Sequence, residues 1–201
     1  MNYLRYLLCS TLLFIVAACS QYSGIQNVKQ SYDLPDQWQI QGKLGVKTNT
    51  DSGSVTINWQ QQNNRYGIRV NGPLGQGSAR ITGDPQLIII EQAGEEAVTS
   101  TAPEQLLQET LGWFIPINDL RYWVQGLPSS GKTINSPVYN EQGMLVAFEQ
   151  ADWSISIDRY KLVDRWLLPH KVKINKGDVQ LKLAIRQWQF PQLKSQYSHI
   201  P

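Results

Sequence analysis
The sequence predicts a mainly β, α+β protein: about eleven antiparallel strands in one strongly curled sheet, with a small helical lid inserted among them. Three observations carry this expectation. Apolar and polar residues alternate along most of the chain, the period of a half-buried strand. The runs are separated by short turns rich in Gly, Asn, Asp and Pro, which favours hairpins over crossovers. Only around Thr110–Pro128 does the apolar period change to between three and four, the period of a helix face.

The beginning of the chain is not expected to join the fold. Arg5 precedes an almost unbroken apolar run from Tyr6 to Val16, too short for a comfortable membrane span. Val16-Ala17-Ala18-Cys19 places small residues before a cysteine, the pattern of a lipoprotein signal in which Cys19 is cleaved free and acylated. Residues 1–18 thus read as signal peptide and 19–33 as a polar tether. Residues 34–190 read as one domain, and 191–201 as a polar tail. Ser20 follows Cys19 where an Asp would mark inner-membrane retention. Loss of Arg5 leaves 17 basic against 16 acidic residues, a balance that argues against a nucleic-acid partner. Cys9 and Cys19 are the two cysteines, so the mature domain has no disulfide and must rely on packing.

The strand signals follow in order. Trp38, Ile40, Gly42, Leu44 and Val46 alternate with polar residues, as do Val55, Ile57 and Trp59, then Tyr66, Ile68 and Val70, then Ala79 and Ile81. Leu87–Ile90 is wholly apolar and predicts a strand covered on both faces or a central one. Weaker signals stand near Glu95–Ser100 and Ile134–Tyr139. Val146 and Phe148 alternate, then Trp153, Ile155 and Ile157. Val172 and Ile174 lead through Asn175–Asp178, a hairpin turn, into Val179, Leu181, Leu183 and Ile185.

Two short helices are predicted. Thr101-Ala-Pro-Glu104 has capping-box spacing before Leu106, Leu107 and Leu111, and Gly112 ends the first helix. Asn118 stands where the second would be capped. Leu120, Trp123, Val124 and Leu127 share its apolar face, Gly126 permits a left-handed end and Pro128 forbids continuation.

Chemistry is sparse. Gly126–Thr133 matches the phosphate-binding pattern G-x-x-x-x-G-K-[ST], but it lacks the preceding buried strand and following helix that would aim backbone N–H groups at phosphates. A solvated loop with an unimportant Lys132 is expected. No Cys/His cluster suggests a metal, no cofactor motif occurs, and no catalytic constellation suggests an enzyme. Two features remain. Seven Trp, nine Tyr and four Phe either fill the concave face of the sheet or leave it hollow for an apolar ligand. Gly72-Pro73-Leu74-Gly75 reads as a type I turn with Pro73 at its second position and Leu74 at the tip, a small apolar probe for lipid.

Gly72–Gly75, Ile115-Pro-Ile-Asn118, Leu120-Arg-Tyr-Trp123, Gly126-Leu-Pro128 and a C-terminal hairpin ending near Trp188, in that order behind a lipobox, resemble the LolB family of outer-membrane lipoprotein receptors. Gly72 departs from the family's Asn-Pro-Leu-Gly by separating Asn71 from Pro73. The resemblance implies a half-open β-barrel with a helical lid over a hydrophobic cavity, in a monomer held by acylated Cys19 in the outer membrane and facing the periplasm. It further implies that a LolA-type carrier delivers client lipoproteins to the cavity and that Leu74 helps insert their acyl chains without ATP. The expected cavity residues are Leu44, Ile57, Trp59, Ile68, Leu107, Trp123, Leu127, Phe148, Trp153 and Ile155. The residues alone leave a second reading, a lipid-anchored periplasmic scaffold with a solid aromatic core.

Overall fold
Every backbone N–H and C=O in a strand needs a partner, and here the partners are supplied by one continuous antiparallel sheet. A computed structural model describes residues 34–72, 77–112 and 114–191. The first six strands are β1 (Gln37–Lys47), β2 (Ser52–Gln62), β3 (Arg65–Asn71), β4 (Ala79–Gly83), β5 (Ile88–Gln92) and β6 (Val98–Ser100). Helices α1 (Pro103–Leu111) and α2 (Ile117–Trp123) follow. The remaining strands are β7 (Asn135–Tyr139), β8 (Leu145–Gln150), β9 (Trp153–Val163), β10 (Trp166–Lys176) and β11 (Val179–Gln189).

All eleven strands belong to one sheet, ordered β6-β5-β4-β3-β2-β1-β11-β10-β9-β8-β7. The first strand therefore pairs with the last at the centre, with Leu44 opposite Leu183 and Val46 opposite Leu181. β6 and β7 are the two edges. They do not pair with each other, so the barrel stays open, and the helices form the link from one edge to the other.

The alternation of the sequence reappears as burial. Ile40, Ile57, Ile68 and Ile81 are buried on one face, while Lys43, Thr56, Arg69 and Arg80 are exposed on the other. The register slips between Gln41 and Gly42 against β11, a bulge that adds local twist. Only glycine fits there, because a Cβ on Gly42 would collide with the Ala184 carbonyl oxygen. At the other end of β11 the predicted hairpin forms, with Lys176 paired to Val179 around Gly177, whose φ is +54°.

Four local expectations need correction. Leu87–Ile90 is not covered on both faces. Leu87 is 40% exposed, and Ile88 and Ile90 are buried while Ile89 is only half-buried, because β5 lies next to the edge rather than at the centre. Thr101 does not cap α1. Ala102 holds the cap position without a side-chain bond, and Pro103 begins the helix, where its missing N–H costs nothing. Asn118 does not cap α2 either. The helix starts at Ile117, and the Pro116 carbonyl accepts from Asp119 N at 3.0 Å and Leu120 N at 2.8 Å. The fourth, the loop around Lys132, is taken up with the site.

Helix ends follow the glycine expectation. Gly112 ends α1 at φ +79°, its N–H bonded to the Gln108 carbonyl. Beyond α2, Gly126 at φ +78° lets its own N–H reach Trp123 O at 3.0 Å and Leu127 N–H reach Tyr122 O at 3.1 Å.

Candidate functional site
Large side chains fill space and short ones leave it, and the concave face of the sheet is divided on that basis. One end is solid. Trp38 packs 5.3 Å from Trp59 and 5.5 Å from Trp188 (ring centroids), and Trp166 lies 4.7 Å from Phe190. Under α2, Trp153 meets Trp123 at 6.2 Å and Phe114 at 6.5 Å.

The other end is hollow, with a cavity of about 360 Å³. Its floor is the inward row of the central strands: Leu44 and Val46 of β1, Val55 and Ile57 of β2, Ile68 and Val70 of β3. Ile174, Leu181 and Leu183 continue that floor across β10 and β11. The roof is helical, made by Leu107 and Leu111 of α1, Ile115, and Ile117 and Leu120 of α2. Gln92 and Thr110 are its polar side chains, and among the described residues no charged one lines it. A chamber of this composition offers mainly dispersion contacts and exclusion of water.

Of the expected cavity residues, the structure brings Leu44, Ile57, Trp59, Ile68 and Leu107 together around this space. Trp123, Phe148, Trp153 and Ile155 do not reach it. They are almost completely buried in the solid part of the core. Leu127 lies instead on a separate cleft of about 270 Å³ with Leu34, Trp38, Arg121 and Tyr122. The residues that sequence reasoning missed include short ones (Val46, Val55, Val70, Ala79), lid residues (Leu111, Ile115, Ile117, Leu120) and long strand residues (Ile81, Ile90, Ile174, Leu181, Leu183). Cys19, Pro73, Leu74 and Gly75 lie outside the described residues. The residues that bracket the turn are informative, since Val70 before it and Gly77 after it both line the cavity. The described residues that flank the 73–76 segment therefore stand at the rim of the hollow end. Leu111, 39% exposed and also on the lining, is a second rim residue.

The lid is fixed to the body by polar groups beside the cavity. Gln150, fully buried on β8, accepts from Trp123 Nε1 at 2.9 Å, from Ser129 N at 2.8 Å and from Ser129 Oγ at 2.9 Å. Its amide nitrogen donates to Ser129 O at 3.1 Å and Lys132 O at 3.0 Å. This one side chain occupies the centre of the loop that matched the phosphate-binding pattern, and an edge strand follows the loop instead of a helix. Nor is the loop merely solvated. Lys132 Nζ donates to both oxygens of Asp119, at 2.8 and 2.6 Å, and Asp119 is only 6% exposed. The Glu104 carboxylate, half-buried, accepts from the backbone N–H of Asn118 at the start of α2. Burial first, and the Asp119 charge second, hold its pKa above the usual carboxylate value, with Asn118 N–H and Lys132 opposing. Glu104, Asp119 and Lys132 thus bind α1, α2 and the following loop into one unit.

Comparison with known proteins places this arrangement. Two solved structures resemble the fold at 5% identity: a LolA superfamily protein from Nitrosomonas europaea, TM-score 0.50, covering 77% of this chain and 86% of that one, and a DUF1329 family protein from Desulfovibrio piger, TM-score 0.51, covering 79% and 87%. At that identity they establish the shared architecture alone. Sequence relatives are closer. "Outer-membrane lipoprotein LolB" of Pseudomonas syringae is 34% identical over 199 residues, 93% of this chain and 97% of the relative. The protein of the same name in Pseudomonas aeruginosa PAO1 is 38% identical over 165 residues, 82% and 80%. The profile of the family described as "Outer membrane lipoprotein LolB" matches residues 36–188, the whole span of the sheet and its lid, and the chain belongs to that family.

Proposed function
We propose that the chain is a lipid-anchored receptor of the outer membrane, facing the periplasm as a monomer. It takes lipoproteins from a LolA-type carrier into the apolar cavity and passes their acyl chains to the bilayer. The uncharged hollow between sheet and helices is the observation that carries this reading. A scaffold needs no such space, and the solid end alone would have served it. Residues 19–33 act as the tether behind acylated Cys19, and residues 34–190 act as one unit.

The physics of the cargo accounts for each part. Exposing a sixteen-carbon chain to water costs on the order of 12 kcal/mol at about 0.8 kcal/mol per CH₂. Free diffusion across an aqueous space is therefore excluded, and chains must move from one apolar enclosure to another. Direction comes from rising affinity along carrier, receptor and bilayer, since a passive carrier can shift an equilibrium only by differential binding. In this reading Leu74, in the connection between β3 and β4, enters the headgroup region while chains leave the cavity; Val70 and Gly77 on either side of that connection line the cavity, which supports it. The test is reconstitution. The purified chain, mixed with a carrier–lipoprotein complex and liposomes, should move the lipoprotein to the liposomes without nucleotide. Lipoprotein that stays on the carrier would overturn the proposal.

A further inference from the structure
The face of the sheet turned away from the cavity carries a second hollow, of about 450 Å³, over the centre where β1 meets β11. Lys43, Thr56 and Ala184 belong to its floor and are exposed, alternating with residues whose side chains point to the core. Arg159, Lys161, Arg186 and His170 surround it, and among the described residues no acidic one lines it. Four permanently cationic side chains drawn from three strands around one concavity repel one another unless an anion sits among them. Asp158, the next residue to Arg159, is bonded to Lys171 at 2.9 Å and also feels the Arg159 charge, which leaves Lys43, Lys161 and Arg186 as the cations of the hollow with no acid set against them among the described residues.

His170 adds a specific group. Its Nδ1–H donates to the Ile185 carbonyl at 2.9 Å, while Nε2 is out of solvent contact and without a hydrogen-bond partner among the described residues. Burial, together with the Lys161 ammonium, holds this ring below the ordinary histidine pKa against the pull of the Ile185 carbonyl. The hollow beside this ring is lined by Lys43, Arg159, Lys161 and Arg186 and is positively charged.

We propose that this hollow, between Lys43, Arg159, Lys161, His170 and Arg186, binds phosphate, carried by a lipid headgroup or by a soluble phosphate ester. Arginine and lysine donors spaced around a concave surface match the several oxygens of a phosphate better than a single carboxylate. The register supplies the link to a membrane. Asn71 pairs with Thr56, Thr56 with Lys43 and Lys43 with Ala184, so one row of outward residues crosses the sheet. Strands lie about 4.8 Å apart, which puts Lys43 about 10 Å from Asn71, the residue after which the 72–78 connection leaves β3. This link to a membrane rests on the function proposed above: a bilayer that meets the 72–78 connection would present its phosphates within reach of the hollow.

The experiment uses the mature chain with Cys19→Ala, so that the acyl anchor does not mask weaker binding. Co-sedimentation at 0.15 M salt with phosphatidylcholine vesicles containing phosphatidylglycerol is compared for three proteins: wild type at the outward face, Lys43→Gln/Lys161→Gln/Arg186→Gln, and the charge-matched Lys47→Gln/Lys173→Gln/Lys182→Gln on the same face. The first triple variant should lose at least tenfold in affinity, the second less than about threefold. In parallel, inorganic phosphate should shift the NMR signal and raise the pKa of His170 in the parent and not in the first variant. Phosphate binding together with vesicle binding assigns any phosphate, and vesicle binding alone assigns the headgroup. A response to inorganic phosphate alone assigns a soluble ester. Equal losses for both variants would show diffuse surface attraction only, and no loss in either assay would leave the basic face to an acidic protein partner; both results overturn the site. Phosphate binding itself does not depend on acyl transfer, so failed transfer with phosphate binding intact leaves the site standing.

Discussion
Removing Lys132 tests whether the lid is held by charge as well as by apolar contact. Asp119 sits in the first turn of α2 with its side chain 8% exposed, whereas the Lys132 side chain is 47% exposed. Two opposite charges about 4 Å apart attract by up to about 4 kcal/mol where the effective dielectric is intermediate. A wholly exposed pair keeps only about 1 kcal/mol or less. Because Asp119 is buried and the lysine is half in water, Lys132→Ala should cost about 2 kcal/mol, mostly from leaving a buried carboxylate unpaired beside Glu104. For a domain of this size that corresponds to a fall in melting temperature of about 4–8 °C. Urea unfolding of Lys132→Ala, Asp119→Asn and the double variant gives the coupling directly. The double variant should recover more than 1 kcal/mol relative to the sum of the singles. Lys132→Ala within about 0.5 kcal/mol of the parent, with additive singles, would refute the reasoning and return the loop to the solvated role its sequence suggested.

Other outcomes follow from the same geometry. Leu74→Glu should leave the thermal midpoint near native and carrier-to-receptor transfer intact, but should slow delivery to liposomes, since a charge in the headgroup region loses what an apolar side chain gains there; unfolding, or wild-type delivery, would sink the role of the turn. Ala79→Phe places a ring in the hollow and should keep the fold while lowering uptake of a fluorescent fatty-acid analogue at least severalfold; unchanged uptake would mean the ligand goes elsewhere. Glu104, whose folded pKa is raised, contributes stability that is fully present below the unfolded carboxylate value of about 4.3 and is lost as pH rises through the folded value. Glu104→Gln should therefore match the parent in acid and equal or exceed it in stability at pH 7, and Asp119→Asn should lower the Glu104 pKa read by NMR.

The strands were legible because each has one wet face, and an alternating pattern admits a single register with its apolar residues inward. The helices were legible from a change of period, and their ends from Gly112 and Gly126. Their beginnings were not, because the capping acceptors are backbone oxygens that any residue can provide, and Glu104 serves the neighbouring helix instead of its own. The cavity was half legible. Every inward residue is apolar whether the space behind it is full or empty, so composition cannot report the distance between sheet and lid. Aromatic residues such as Trp123, Phe148 and Trp153 drew attention by size, yet size is what makes them fillers. Val46, Val55, Val70 and Ala79 line the hollow because they stop short of the opposite wall. Lys132 was misread for a related reason: nothing in a sequence says that an acid thirteen positions earlier will be buried beneath it.

The helical segment joins the two free edges of the sheet, and this gives it a mechanical role. It behaves as a bowstring whose length, from the end of β6 to the start of β7, sets how far the curled sheet can relax. A guest that pushes the lid outward also pulls on both edge strands, so widening of the chamber and flattening of the sheet are one motion. The restoring force lies in the curvature of the eleven strands together.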